Sequence, residues 1–321
     1  MTTGRTAPGP QGRKSEGAVV VALDVGGTGM KCALVRPDGT VHHAERHPTL
    51  AERGPEAVVA TILDVAEGLA KRARNDGLDP IAAGIAVPGV VDEHHGVAVW
   101  SANVGFRDVP LRDLVTERLG LPAALGHDVR VGGIAEARLG AGRGRSHVLF
   151  VAIGTGIAAA LVVHGAGYGG AHGAAGEVGH IVVRPGGNPC GCGGSGCLEA
   201  HASAKAIGRR YAEISGRSGA TALDVVTRAA AGDDQATTIW HDAVGALADG
   251  LVTCQGLYDV NVLVIGGGLA EARESLLTPL RAGIRDRLTF QRMPEVVRAE
   301  LGDNAGCIGS ALLAIDFLES A

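Results

Sequence analysis

The apolar positions of this chain fall into runs whose period switches between strand and helix. Ala18 to Val25 is a continuous run rich in β-branched residues, followed by the turn GGTGM, then KCALVRP, a DG turn and TVHHAERHP. Apolar runs cut by Gly-rich and Asp-Gly turns predict three strands in antiparallel succession. From Pro55 to Arg74 the residues Val58, Val59, Ile62, Leu63, Ala66, Leu69 and Ala70 recur at helical spacing, which predicts one amphipathic helix. Ile81 to Val87 reads as a buried strand closed by Pro88-Gly89, and Leu111 to Leu119 as a helix. Ala123 to Gly126 reads as a short strand ending at His127-Asp128.

The pattern then restarts. HVLFVAIG, a GTG turn, IAAALVVH and a Gly-rich turn repeat the strand, turn and strand of the first stretch, as in a duplicated fold. Helical patterns run to about Gln255, a strand lies in DVNVLVIGGG, and a helix reaches about Leu288. A last apolar helix covers Ala305 to Leu318. Strands alternating with helices in each half predict a three-layer α/β architecture with helices on both sheet faces. With 321 residues, 46% of them hydrophobic, the chain has room for two domains and a cleft. The expected division is a small domain of residues 18–130 plus 305–321 and a larger one of 131–304, with the boundary just after Asp128. Residues 1–17 are polar, lack the apolar middle of a secretory signal and read as a disordered tail.

Charge narrows the function classes. Against 34 acidic residues stand 29 basic ones, a net charge near -5, which offers no broad cationic surface for nucleic acid. No apolar stretch reaches bilayer-spanning length, so a membrane partner is not expected and a cytoplasmic protein is. Three of the six Cys cluster within eight residues, a spacing that suits a metal site in a reducing compartment better than a disulfide framework.

Candidate chemistry lies in the turns. LDVGGTGMK joins strand to strand through Gly26, Gly27 and Thr28, whereas a Walker-type loop leads into a helix and carries GKS or GKT. Small residues there let backbone N–H groups approach phosphate oxygens, Thr28 adds a hydroxyl, and Asp24 is placed to hold magnesium directly or through water. An ordinary Gly hairpin accounts for this motif equally well when it stands alone, but AIGTGIAAAL provides a second copy. VIGGGLA provides a third Gly-rich turn, one suited to cradling adenosine with a helix N-terminus nearby. The segment EVGH followed by NPCGCGGSGC offers Cys190, Cys192 and Cys197 with His180 as the expected fourth ligand. Three thiolates and one imidazole make a closed tetrahedral zinc set of structural type. An iron–sulfur site would call for one more Cys, and free thiols rarely crowd into a Gly-rich loop.

Together DVGGTGMK, GTGI, EVGH and CGCGGSGCLE resemble the ROK family of bacterial sugar kinases, repressors and open reading frames, over nearly the whole chain from Ala18 onward. The resemblance implies an actin-like (ribonuclease H-like) two-domain fold with a central cleft, ATP with magnesium, a structural zinc, and a hexose or N-acylhexosamine substrate. It places ATP and magnesium at Asp24, Gly26, Gly27, Thr28, Lys31, Gly154, Thr155, Gly156, Gly266, Gly267 and Gly268. It places the catalytic base at Asp128, for which a helix N-cap is the structural alternative. The sugar is expected at Gly89, Asn103, His127, Asp128, Glu177, His180 and Glu199, with His180 serving both zinc and sugar. The chain departs from the family at His127-Asp128-Val129-Arg130, where Asn-Asp-Ala-Asn is usual.

The expectation is therefore an ATP:hexose 6-phosphotransferase acting on glucose. An N-acylhexosamine kinase acting on N-acetylglucosamine or N-acetylmannosamine is the alternative, as is a non-catalytic sugar-sensing protein. Seventeen polar residues before the first strand are too few for a DNA-binding helix-turn-helix domain, so a repressor is not expected. A homo-oligomer, dimer or tetramer, is expected from the resemblance.

Overall fold

The computed structural model describes residues 17–320, so the expected tail, apart from Gly17, lies outside the described residues. β1 (Ala18–Val25), β2 (Gly29–Val35) and β3 (Val41–Pro48) form an antiparallel meander, and α1 (Pro55–Asn75) leads to β4 (Asp79–Val87). β5 (Val90–Asp92), β6 (Val97–Trp100) and β7 (Arg107–Val109) form a small separate sheet before α2 (Leu111–Leu119), β8 (Ala123–His127) and α3 (Asp128–Arg138). The second half runs β9 (His147–Ile153), β10 (Ile157–Val163), β11 (Ala166–Gly167), α4 (Leu198–Ala202), α5 (Ala204–Ser215), α6 (Ala222–Ala230) and α7 (Asp234–Tyr258). It closes with β12 (Val262–Gly266), α8 (Glu274–Arg285), β13 (Glu295–Arg298) and α9 (Ala305–Ser320).

The two large sheets share one topology. Their orders are β3-β2-β1-β4-β8 and β11-β10-β9-β12-β13, each with an antiparallel meander on one side and parallel partners on the other. The duplication read from the sequence is thus real at the level of strand pairing.

Burial explains why β1 reads as an unbroken apolar run. Val19, Val21, Leu23 and Val25 face outward under α1, while Val20 and Ala22 face inward toward α3 and α9. A strand covered on both faces needs apolar residues on both, here as far as Leu23, and each fully buried Val or Leu contributes about 1.5–3 kcal/mol. α1 begins with Pro55 in its first turn and buries Val58, Ile62, Val65, Ala66, Leu69 and Ala73 along one stripe.

The inner core is shared between the halves: residues of β1, β2, β4 and β8 meet α3 and α9, which meet β9, β10 and β12. The expected three layers are therefore five, with α3 and α9 as the common middle. Their close fit depends on glycine. A Cβ at Gly84 would stand 1.9 Å from the Ser310 carbonyl oxygen, and one at Gly309 would stand 1.9 Å from that of Val131. Two further findings depart from the sequence pattern. The β5–β7 sheet and β13 have only three or four residues per strand, too few for a period to register. After the GGG turn the chain makes a 3₁₀ turn, Gly268–Ala272, so α8 does not start at that loop as expected.

Candidate active site between the two sheets

β1 and β2 place Asp24 opposite Lys31, one rung inside the first Gly turn. The Lys31 ammonium lies 4.0 Å from the Asp24 carboxylate and 3.3 Å from that of Asp303. Asp128 stands at the end of β8, where the chain enters α3. Asp24, Lys31, Asp128 and Gly266–Gly268 all line one cavity of about 510 Å³ between the sheets. Burial, and then the charge of Asp128, pushes the Asp24 carboxyl up to about 6. Burial also raises Asp128, against the Val129 N–H and the Arg130 charge, which pull it down. A carboxylate so placed is a stronger base than one in water. The N-cap alternative does not hold, because the cap position is His127 and the Asp128 carboxylate accepts from its neighbour Val129 N–H at 2.7 Å.

His127 is buried, with its Nδ1 3.4 Å from the Asp128 carboxylate. Burial first, then Arg130, holds its imidazole down at about 4, while Glu177 and Glu93 pull the other way. It is a neutral ring near pH 7, able to donate and accept hydrogen bonds. Glu177 in turn lies 3.8 Å from Nε2 of His180. That stretch lies flat on β10: a Cβ at Gly176 would meet the Ala159 carbonyl at 2.0 Å, and one at Gly179 the Ile157 carbonyl at 2.2 Å.

His180 has a second neighbour through its other nitrogen. Nδ1 lies 3.6 Å from Cys190 Sγ, Cys192 Sγ lies 3.8 Å from Cys197 Sγ, and the four ligand atoms all fall within 4.8 Å of one another. Tetrahedral zinc with bonds of about 2.3 Å to sulfur and 2.0–2.1 Å to nitrogen has edges of about 3.8 Å and 3.6 Å, so this donor set fits zinc. Cys197 caps α4, and Glu199 lies in the first turn of the same helix. Arg184, inside the metal loop, pairs with Asp249 at 2.5 Å and with Asp242 at 3.8 Å, which fastens the loop to α7.

The GTG turn meets this loop. Glu199 accepts from Ile157 N–H at 2.9 Å and lies so close to Gly156 that a Cβ there would be 2.5 Å from its carboxylate. Asn103, Thr155, Gly156 and Glu199 line a second cavity of about 490 Å³. The GTG and GGG turns lie side by side, with Gly267 (φ +78) where a Cβ would sit 2.5 Å from the Ile153 carbonyl. Gly27 in the first turn faces Asn103, and Gly89 (φ +105) presses on the backbone of Trp100 and Ser101, just before Asn103. Gly26, Gly27, Thr28, Gly154, Gly89, His127, Glu177 and His180 line neither of these two cavities. The first turn joins the two through Asp24 of one and Gly27 against Asn103 of the other, His127 adjoins Asp128 of the first, and His180 adjoins Cys190 of the second.

A family model described as ROK family matches residues 20–317. The chain belongs to the ROK family. A glucokinase of Thermotoga maritima is 34% identical over 312 residues, spanning 91% of this chain and 96% of that protein. The crystal structure of a ROK hexokinase from Thermus thermophilus superposes with a TM-score of 0.84 at 32% identity, covering 94% of this chain and all of that one. A ROK family glucokinase from Streptomyces griseus, solved in complex with glucose and AMPPNP, gives a TM-score of 0.78 at 28% identity, covering 93% and 99%. The fold is accordingly the actin-like two-lobed one with a central cleft.

Residues absent from the sequence reading also build the ROK cleft. Glu136 is fully buried in α3 and accepts from the N–H groups of Ala141, Glu300 and Leu301, which fixes the wall after β13. Arg298 and Glu271, 3.0 Å apart, line the same cavity. Gly306 leads α9 against Asp24, leaving a Cβ only 2.2 Å from that carboxylate. These are long-range pairings with no local pattern to announce them.

Proposed function

We propose that this protein is an ATP-dependent hexose kinase that phosphorylates glucose on its 6-hydroxyl. The observation that carries the reading is the position of Asp128. It lines the cavity of Asp24, Lys31 and the GGG turn on one side and touches His127, the start of the path to Glu177 and His180, on the other. A base at that junction reaches both a phosphate chain and a sugar hydroxyl. Asp128 accepts the proton of the attacking hydroxyl while the sugar oxygen bonds to the γ-phosphorus and the bond to the bridging oxygen of ADP breaks. Lys31 and the backbone N–H groups of Gly27, Thr28, Thr155 and Gly156 orient the phosphates, Gly26 and Gly154 close those turns by donating to the Gly29 and Gly156 carbonyls, and Gly266, Gly267 and Gly268 leave room for the adenosine. Bound magnesium supplies phosphate charge neutralisation, and Asp24 is the residue that would hold it.

Gly89, Asn103, His127, Glu177, His180 and Glu199 form the sugar side. Zinc held by His180, Cys190, Cys192 and Cys197 would keep Glu177, His180 and Glu199 in place without entering the chemistry. Closure of a small domain (18–130 with 305–321) on a larger one (131–304) excludes water from the transfer. We place the protein in the cytoplasm as a homo-oligomer; among the described residues no helix is long and apolar enough to cross a membrane. The relative solved with glucose and AMPPNP supports both ligands.

The test is ADP release from magnesium-ATP with glucose, mannose, fructose, allose, N-acetylglucosamine and N-acetylmannosamine. Glucose is expected to give the highest kcat/KM. Preference for an N-acetylhexosamine replaces the substrate, and no sugar-stimulated ADP release overturns the kinase.

A further inference from the structure

Arg130 is a charged residue buried to 3% exposure in the first turn of α3, two residues after the proposed base. Its guanidinium is shared between the halves. Nη1 donates to Glu93 Oε1 at 2.5 Å, in the turn after β5, and Nη2 donates to the Gly173 carbonyl at 2.8 Å, in the loop after β11. The same Glu93 oxygen accepts the backbone N–H of His127 at 3.2 Å. Glycines make the space for the bridge. A Cβ at Gly167 would stand 2.9 Å from Arg130 Cγ, and one at Gly169 would stand 3.5 Å from its Cζ. Gly173 (φ +75) seats its loop directly on β5, where a Cβ would meet the Val91 carbonyl at 2.3 Å.

We infer that Arg130 and Glu93 are positioning residues that hold the His127-Asp128 turn between the two halves, so that the base is placed only while the 169–173 loop is seated. The inference rests on the kinase reading of Asp128. Glu93 holds the turn by its backbone at His127, and Arg130 holds Glu93 and the opposite loop together. A shift of the turn moves the proton acceptor away from the hydroxyl and carries His127 of the sugar side with it, while the groups assigned to ATP stay in place. Misplacement of about 1 Å is enough to cost roughly a hundredfold in rate. The guanidinium also acts electrostatically on its neighbours: it favours ionised Asp128 and neutral His127, alongside Asp24 facing the base and Glu177 facing the imidazole.

The test uses the full chain with zinc and magnesium-ATP. Arg130→Met, which keeps the stem and removes both donors, is expected to lower kcat about 30- to 100-fold, with KM for ATP within about threefold of wild type and KM for glucose raised no more than about tenfold through His127. Arg130→Lys keeps the charge but cannot reach two acceptors, and is expected to recover only part of the loss. Glu93→Gln, which keeps an acceptor, should stay within about fivefold of wild type, and Glu93→Ala should match Arg130→Met. The Glu93→Ala, Arg130→Met double variant should be no worse than either single change, since both break one unit. Zinc content and unfolding temperature are measured alongside, to separate placement from misfolding. Wild-type kcat in Arg130→Met overturns this inference alone, as does a loss carried wholly by KM or by unfolding. Wild-type protein that phosphorylates no sugar overturns the kinase reading and this inference with it.

Discussion

The hairpins β1–β2 and β9–β10 are copies of one design and differ most at a single rung. One step inside the first turn Asp24 faces Lys31; one step inside the second, Ala152 faces Ala158. Asp24 and Ala152 both line the same cavity. The first hairpin therefore presents charge and the second presents methyl side chains, and the second half's charge at this cavity comes from elsewhere, as from Glu271 and Arg298, which pair with each other. On the proposed reading, a further carboxylate without a cationic partner at this rung would repel a triphosphate. By the same reading the first half holds the base and the magnesium ligand, and the second half holds the loop with Glu177, Glu199 and the His180, Cys190, Cys192 and Cys197 donor set.

The largest expected effect tests whether the chemistry does reside in the first half. Asp128→Asn is expected to lower kcat about a thousandfold in the coupled assay, within the usual range for a lost general base, with little change in either KM. Full activity in that variant would move the base elsewhere. Making the copies alike comes next. Ala152→Asp adds a carboxylate to the neutral rung and is expected to raise KM for magnesium-ATP at least tenfold, about 1.4 kcal/mol, while leaving the sugar KM alone. Unchanged KM for ATP would mean that the cavity does not hold the phosphates. Stripping zinc with a chelator should act on the second half alone: a roughly tenfold rise in KM for glucose, KM for ATP held within about twofold, and recovery when zinc is returned.

The smallest effect is a pH slope. His127 is held from 6.5 down to about 4 in the fold, so its contribution to stability is lost as pH falls from 6.5 through 4. Asp24 is raised from 3.8 to about 6, so the fold takes up its proton first and stability is regained as pH falls through the same range. In the nucleotide-free wild type the two slopes oppose each other between about pH 4 and 6. Asp24→Asn removes one of them, and its unfolding temperature is expected to drop by a few degrees per pH unit on acidification, read by circular dichroism. Equal slopes in the two proteins would show that Asp24 is not the group that is raised.

What the sequence disclosed and what it hid divide along range. β1, α1 and α2 were legible because a covered strand and an amphipathic helix repeat their period over many residues. The Cys190-Cys192-Cys197 set was legible because its ligands crowd into one loop, and the cluster with His180 has the geometry that the spacing promised. The strands β5, β6, β7 and β13 were too short to carry a period. Nothing local in the sequence marks Glu136 or Glu93, and only the fold shows that each accepts from N–H groups elsewhere in the chain. Arg130 was visible as a departure from the family, but its partners lie 37 and 43 residues away.

The placement of α9 has a bearing on how the protein is made. The outer core of the first half needs only β1–β8, α1 and α2, so it can form early on the ribosome. Its inner face needs α9, whose Gly306 packs on Asp24 and whose Ser310 hydroxyl bonds the Leu23 carbonyl, and α9 is translated only after the whole second half. Until then the nascent chain holds a half-covered sheet, and the cavity at Asp24 lacks one wall. The apolar underside of β1 and β4 is the surface a chaperone would have to shield.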